Sequence, residues 1–229
     1  MSQAQGRRRG GLAGRHVLVT AGPTRAPLDR VRYIANRSSG ATGVAVARAL
    51  RRRGARVHLV YGPGTAPPPA GVEVVRVETP EEMRQAALAV LRKHRVAAAV
   101  LAAAILDYVP AEFHDGKLPS GRRLTLELVP TPKLIAELVQ TAPQMATVGF
   151  KLEYGRSDEE LIAIARAHIE RYHLTAVLAN DLARMAAEEH PALLVCLDGR
   201  VETVEGAEGI GRAIAGHLQR VLAAGDFGF

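Results

Sequence analysis

Apolar residues in this chain fall into short runs separated by polar, glycine-bearing turns. His16-Val17-Leu18-Val19-Thr20 reads as a buried-type strand, followed after two tight turns by a helix rich in small residues, Ala41 to Arg53. Val57 to Tyr61 is the next strand; a Gly/Pro turn from Gly62 to Gly71 and a strand from Val72 to Val77 follow it. Thr79-Pro80-Glu81-Glu82 opens a helix running to about His94. Threonine caps it, proline takes the first helical position, and carboxylates face the positive end of the helix dipole. The longest apolar run, Val96 to Leu106, is too short for a bilayer, which takes about 20 residues. It reads as a central strand buried on both faces.

The second half departs from this rhythm. Asp107 to Arg123 is polar, contains Gly and Pro, and is too long for a routine strand-to-helix connection, so it reads as a flap. Leu124 to Leu128 alternates as a strand does, and Thr131-Pro132 starts a helix ending near Gln140. Ala146 to Leu152 is a strand, and Ser157-Asp158-Glu159-Glu160 caps a long amphipathic helix to His173. Ala176 to Asn180, then about 192–197 and 200–204, are strands, and a helix from Ala207 to Ala223 follows. There is no internal repeat. The expected fold is α/β: a Rossmann-like, doubly wound, mostly parallel sheet with a flap and a small antiparallel addition near the C-terminus. Residues 1–14 read as a disordered basic tail and 15–224 as a single domain.

Composition narrows the function. The chain has 229 residues, no Trp and 4% aromatic residues, which argues against a stacking surface for single-stranded nucleic acid. Its single cysteine, Cys196, rules out an intramolecular disulfide framework and suits a reducing, cytoplasmic setting. Set in Leu193-Leu194-Val195-Cys196-Leu197, it reads as a core thiol. Arg7, Arg8 and Arg9 supply three of the net +7 charges, and no apolar stretch of signal-peptide length follows them. Neither secretion, a membrane nor a nucleic acid is expected. The eight histidines show no spacing such as His-Glu-x-x-His, so no metal site is expected. His168 and His173 read as partly exposed helix positions. There is no Gly-x-Ser-x-Gly elbow and no Walker loop.

Ligands of open α/β sheets bind at the carboxyl ends of the strands. Gly22-Pro23-Thr24 follows the first strand, and Asn36-Arg37-Ser38-Ser39-Gly40 leads into the first helix. Together they offer backbone N–H groups, an amide, a guanidinium and two hydroxyls to an anionic ligand. Asp107-Tyr108, Gly149-Phe150-Lys151 and Asn180-Asp181 end later strands. Asp107 is either a turn former or an acceptor for a base or ribose. Lysine occurs only at 93, 117, 133 and 151 in a chain that otherwise uses arginine. Lys117, in the flap, is the best candidate for a deliberately placed point charge. A Gly-x-Gly-x-x-Gly fingerprint is missing, and Tyr33, Tyr108 and Tyr154 lack the lysine four residues on that a short-chain reductase wants.

These segments, taken in order, resemble phosphopantothenoylcysteine synthetase. The resemblance covers about residues 15–205 and rests on Thr20-Ala21-Gly22-Pro23-Thr24-Arg25, Asp29-Arg30-Val31-Arg32 and Asn36-Arg37-Ser38-Ser39-Gly40. Ala102 to Tyr108, Gly116-Lys117-Leu118-Pro119-Ser120, Gly149-Phe150-Lys151-Leu152-Glu153 and Ala179-Asn180-Asp181 complete it. It implies a ligase that activates the carboxylate of 4′-phosphopantothenate as an acyl-nucleotidylate and joins it to L-cysteine, with Mg²⁺ on the triphosphate. CTP is favoured and ATP stays open. In many bacteria the ligase is fused to a flavin-dependent decarboxylase; this chain resembles the stand-alone form, so no flavin is expected, and a homodimer is. By carry-over, Asn36 holds the activated carboxyl group, and Lys117 covers the nucleotide. Gly22, Ala103, Asp107, Pro132, Lys133, Phe150 and Lys151 bind the nucleotide. Arg32, Arg37, Ser38, Ser39, Gly40 and Asn180 serve the acid substrate, with Arg32 and Arg37 either gripping its phosphate or supporting the loop. Two lysines that the bacterial form carries on the helix after the Gly-Phe strand are His168 and Tyr172 here. Lys133 or Lys151 is left to compensate. The alternatives are a Rossmann-type NAD(P)-dependent oxidoreductase and a non-catalytic nucleotide-binding domain.

Overall fold

A computed structural model describes residues 11–184 and 191–225. The first half consists of β1 (His16–Ala21), β2 (Arg25–Pro27), β3 (Tyr33–Ala35), α1 (Ala41–Arg52), β4 (Arg56–Tyr61), β5 (Glu73–Arg76), α2 (Pro80–Lys93) and β6 (Val96–Leu101). The second consists of β7 (Tyr108–Pro110), β8 (Leu128–Pro130), α3 (Leu134–Thr141), β9 (Ala146–Glu153), α4 (Asp158–Tyr172), β10 (Ala176–Asp181), β11 (Pro191–Cys196), β12 (Val201–Glu205) and α5 (Gly206–Ala224).

The main sheet runs β12-β11-β10-β9-β6-β1-β4-β5. From β5 to β10 neighbouring strands are parallel; β11 and β12 add antiparallel strands at one edge. This is the expected doubly wound sheet with its antiparallel addition. The chain leaves β1 towards β4 and β5, then returns to β6 on the other side of β1. The reversal opens a crevice between the carboxyl ends of β1 and β6.

Successive residues of β1 point to opposite faces. Val17, Val19 and Ala21 join the core under α1 and α5, while Leu18 joins the one under α2 and α3. Glycine lets α1 and α5 touch: a Cβ on Gly211 would lie 2.8 Å from the Ala45 carbonyl oxygen. A third apolar cluster, with Leu161, Ala165 and Ile169, seats α4 on β10 and β11. Cys196 is buried as expected, and burial pushes its thiol pKa up. Leu12, inside the stretch read as a tail, is 1% exposed and packs into the core; residues 1–10 lie outside the described residues.

Both expected caps are present. Thr79 and Glu82, and Ser157 and Glu160, form reciprocal capping boxes. Three expectations need correction. The central strand stops at Leu101 rather than running to Leu106. Residues 124–127 form no strand; 128–130 pair with β7 instead, and Leu124, Leu126 and Leu128 are all exposed. Alternation needs a sheet face to cover it, and the flap offers none. The helix expected from Thr131 begins at Leu134, because the Thr131 hydroxyl donates back to the Leu106 carbonyl at 2.7 Å.

Candidate active site

Residues 102–107 leave β6 extended and run alongside the turn after β1, forming the floor of the crevice. The Ala102 N–H donates to Thr20 O (3.1 Å) and the Ala104 N–H to Gly22 O (2.9 Å), while Thr24 N–H returns a bond to Ala104 O (3.3 Å). Two threonine hydroxyls finish the seam, accepting from Ala103 N–H (3.4 Å) and Leu106 N–H (3.0 Å). Gly22 sits at φ +78°, and a Cβ there would lie 3.0 Å from Gly62 O. Only glycine combines that backbone with so close an approach.

Asn36 reaches this floor from one side. Its Nδ2 donates to Ile105 O (3.0 Å) and Ala104 O (3.3 Å). The amide is thereby pinned over the floor with Oδ1 left for another group. The rest of the loop folds into the start of α1. The Ser38 and Ser39 hydroxyls accept from Gly40 N–H (3.2 Å) and Ala41 N–H (3.3 Å). Gly40, the N-cap, has φ +80°, and a Cβ would lie 2.7 Å from the Tyr61 ring. Tyr61 in turn donates to Ser39 O (3.2 Å) and Ala66 O (2.7 Å), bracing the loop from beneath. Arg37 is exposed and has no ion-pair partner among the described residues.

The flap is tied to the β2–β3 hairpin by a buried aspartate. Asp29 is 2% exposed, and its carboxylate accepts from the N–H groups of Arg32 (2.6 Å), Val31 (2.7 Å) and Leu118 (2.9 Å). Burial pushes its pKa up, but the three N–H groups outweigh that and hold it below the usual carboxylate value. Arg32 donates to Leu118 O at 3.0 Å and lies 3.7 Å from Asp29, so its guanidinium supports the loop. Arg30 donates to Asp115 at 2.6 Å, and its N–H donates to Gly116 O at 3.0 Å. Lys117 sits in the middle of this anchored stretch, exposed, and is hydrogen-bonded to neither Asn36 nor Asp107.

On the other side of the floor, Lys133 Nζ donates to Asp107 Oδ1 at 2.5 Å. Pro132 is exposed beside it, just before the uncapped start of α3. In β9, Phe150 packs on the core beneath α1 and α5. Its neighbour Lys151 points to the opposite face, with Nζ 2.9 Å from Glu153. His168 on α4 is held below its ordinary pKa by burial, and further by the positive charges of Lys151, Arg171 and Lys133. Both lysines therefore gather near the helix face where two others were missing, and His168 stacks edge-on against Tyr172 at 4.8 Å. His173 is exposed, one residue past the helix in a left-handed conformation. Asn180 lies one strand further, in register with Leu152, next to the buried Asp181, which accepts from Arg156 N–H at 2.6 Å.

The fold thus brings Gly22, Asn36, Ala103, Asp107 and Lys133 to one floor, with Phe150 and Lys151 at the next strand end. The chain matches the model of the DNA/pantothenate metabolism flavoprotein C-terminal domain over residues 12–221. It belongs to this family. Among curated relatives it is 44% identical over 188 residues to the coenzyme A biosynthesis bifunctional protein CoaBC of Thermococcus kodakarensis, covering 82% of this chain and 46% of that protein. It is 38% identical over 175 residues to CoaBC of Vibrio cholerae, covering 75% and 42%. The chain spans about half the length of these relatives. A crystal structure of the CoaBC C-terminal domain superposes with a TM-score of 0.78 at 26% identity, covering 94% of this chain and 99% of that one. A Cab2 mutant in complex with phosphopantothenate-cysteine shares the fold, with a TM-score of 0.70 at 20% identity over 92% of this chain and 88% of that one.

Asp29, Thr24 and Thr131 support the site, a role that the motifs containing them did not assign. Asp29 carried a signal: an aspartate two and three residues before the N–H groups it accepts from, the pattern of an Asx turn. Thr24 and Thr131 bond across 82 and 25 residues, and local sequence holds no trace of that.

Proposed function

We propose that the protein is a phosphopantothenate–cysteine ligase working through an acyl-nucleotidylate, with CTP the favoured nucleotide and ATP the alternative. The observation that carries this is the floor of residues 102–107, which holds Asn36 from one side and, through Asp107, Lys133 from the other. An amide lies on the side of the anionic substrate loop and a cation on the side of the nucleotide. That arrangement suits two substrates meeting end to end.

A carboxylate is a poor electrophile until a better leaving group is attached. A carboxylate oxygen of phosphopantothenate attacks the α-phosphorus, the bond to the β-phosphate oxygen breaks, and pyrophosphate leaves. The cysteine amine then attacks the acyl carbon; the C–N bond forms, the C–O bond to the nucleotide breaks, and the nucleoside monophosphate leaves with the amine proton passing to solvent. Mg²⁺ enters with the triphosphate as part of that substrate, and no residue here is assigned to it. The chain's own work is positioning and charge neutralisation. Lys133 and Lys151 answer the phosphates. Lys117, carried on the anchored flap, closes over the nucleotide. To donate to a substrate carboxyl oxygen, Asn36 releases the longer of its two bonds, that to Ala104 O. Two copies form the working protein in this reading, and the exposed apolar side chains of Tyr108, Leu128 and Val129 on β7–β8 offer a surface for pairing.

Incubation with phosphopantothenate, Mg²⁺ and either CTP or ATP, first without cysteine and then with it, tests the proposal. Pyrophosphate and an acyl-nucleotidylate are expected in the first step, and turnover in the second; silence with every nucleotide sinks it. Lys117→Gln is expected to accumulate the acyl-nucleotidylate, because formation survives while transfer to cysteine slows.

A further inference from the structure

We propose that His16, His58 and His94 form a binding site for a first-row divalent metal of the zinc class, at the end of the sheet opposite the ligase site. The three residues come from different elements: the first residue of β1, the interior of β4, and the cap of α2 just before β6. One ring nitrogen of each lies within 4.8 Å of the other two. The three rings are nearly parallel, with centroids 4.4 to 5.1 Å apart. The candidate active site sits at the carboxyl ends of β1 and β6, about 20 Å away along six residues of strand.

Two details point to a ligand rather than to a packed histidine cluster. The Nε2 of His94 is buried with no hydrogen-bond partner, a position that a metal's empty orbital would satisfy. His58 Nδ1 faces the Glu73 carboxylate at 3.0 Å, off the line of a good hydrogen bond but close enough to keep the proton on Nδ1. That leaves His58 Nε2 with its lone pair turned towards His16 Nδ1, 2.8 Å away. A carboxylate behind a ligating imidazole is the usual device for fixing its tautomer. Without metal, His16 Nδ1–H donates to His58 Nε2. On binding, that proton moves to His16 Nε2, each imidazole gives one lone pair to the metal, and water leaves the ion. Tetrahedral zinc with Zn–N of about 2.0–2.1 Å places its nitrogens about 3.3 Å apart, so the His16–His58 pair opens by about half an ångström. Three nitrogens leave a fourth position for water, and a cavity of about 800 Å³ borders the cluster, lined by His16, His94, Arg15 and Arg95 among others. Those arginines repel cations, so charge does not draw the ion in; imidazole lone pairs do. This selects Zn²⁺, Ni²⁺, Co²⁺ or Cu²⁺ over the hard, oxygen-seeking Mg²⁺. Spacing along the chain could not show the site, since its members are brought together only by the register of three parallel strands.

The test is metal retention by the full chain. Chelator-stripped protein dialysed against Zn²⁺ in excess Mg²⁺ should keep one zinc per chain, and Co²⁺ should give the visible absorption of a four-coordinate nitrogen site. His94→Gln should abolish both, and His173→Asn, at an exposed position, should change neither. Glu73→Gln, on a side chain that is 57% exposed, should weaken binding about tenfold. Circular dichroism establishes that each variant is folded. The proposal is overturned if the parent keeps no zinc, or if Glu73→Gln and His94→Gln bind as the parent does. Ligase activity plays no part in this readout, so its failure and that of the proposed function are separable.

Discussion

Asn36 spends both amide hydrogens on carbonyl oxygens, so the identity of its terminal atoms matters more than its size. Asn36→Asp would set a carboxylate oxygen against the carbonyls of Ile105 and Ala104, at the 3.0 and 3.3 Å where an N–H now donates. It would also face the anionic substrate with a second negative charge. The expected outcome is a loss of kcat/KM on the order of 100-fold with the fold intact, measured by pyrophosphate release. His217 argues the same point for stability. It is 2% exposed, 3.2 Å from the Thr175 hydroxyl and 3.5 Å from Cys196 Sγ. Burial, and then Arg200 and Arg220, push its pKa down to about 4. An unfolded histidine takes up its proton near 6.5 and the folded one only near 4, so stability is complete above the first value and falls as pH drops towards the second. Between pH 7 and pH 5 this one residue accounts for about 2 kcal/mol. Urea titrations at the two pH values should show that loss in the parent and a smaller one in His217→Gln.

The short elements do the fine positioning. β2–β3 and β7–β8 are hairpins of three-residue strands, yet they carry the flap and the turn that bears Asp107. Their coupling runs through Asp29. Asp29→Asn keeps the shape but turns one N–H-accepting oxygen into an amide that meets a backbone N–H donor to donor. The flap should then loosen: trypsin should cut after Arg122 or Arg123 several-fold faster, with a lower thermal midpoint. The long elements were legible in the sequence because each contains its own cause. Val17 to Val19 is apolar without a break, and Thr79 to Glu82 and Ser157 to Glu160 contain complete capping boxes. The short ones were not. Three residues hold too little periodicity to read, and the alternating leucines at 124–128 imitate a strand that has no sheet to join. The candidate site divides the same way: Asn36, Asp107 and Lys117 stand out by residue type and place and Asp29 by its Asx-turn spacing, whereas the bond of Thr24 and the three-histidine cluster exist only through the fold.

At the scale of the whole molecule, the sheet's reversal at β1 and β6 sets two walls on one floor. The wall built from β1 and the start of α1 carries Asn36; the wall built from α3, β9 and α4 carries Lys133, Lys151 and His168. Among the described residues, the polar links of Asn36 and of Lys133 meet only through residues 104–107. Function should therefore separate along them. Lys151→Gln should raise KM for the nucleotide about tenfold, as loss of a charged hydrogen bond does, and leave KM for phosphopantothenate nearly unchanged. Asn36→Asp should spare nucleotide affinity and damage handling of the acid. Because neither residue touches the other's partners, the double variant should lose kcat/KM by the product of the two single losses, within about 0.5 kcal/mol. A double variant no worse than the poorer single one would mean that the walls act as one unit. The floor would then have to pass strain between Asp107 and Asn36, and the extended run after β6 would be a moving part rather than a fixed bench.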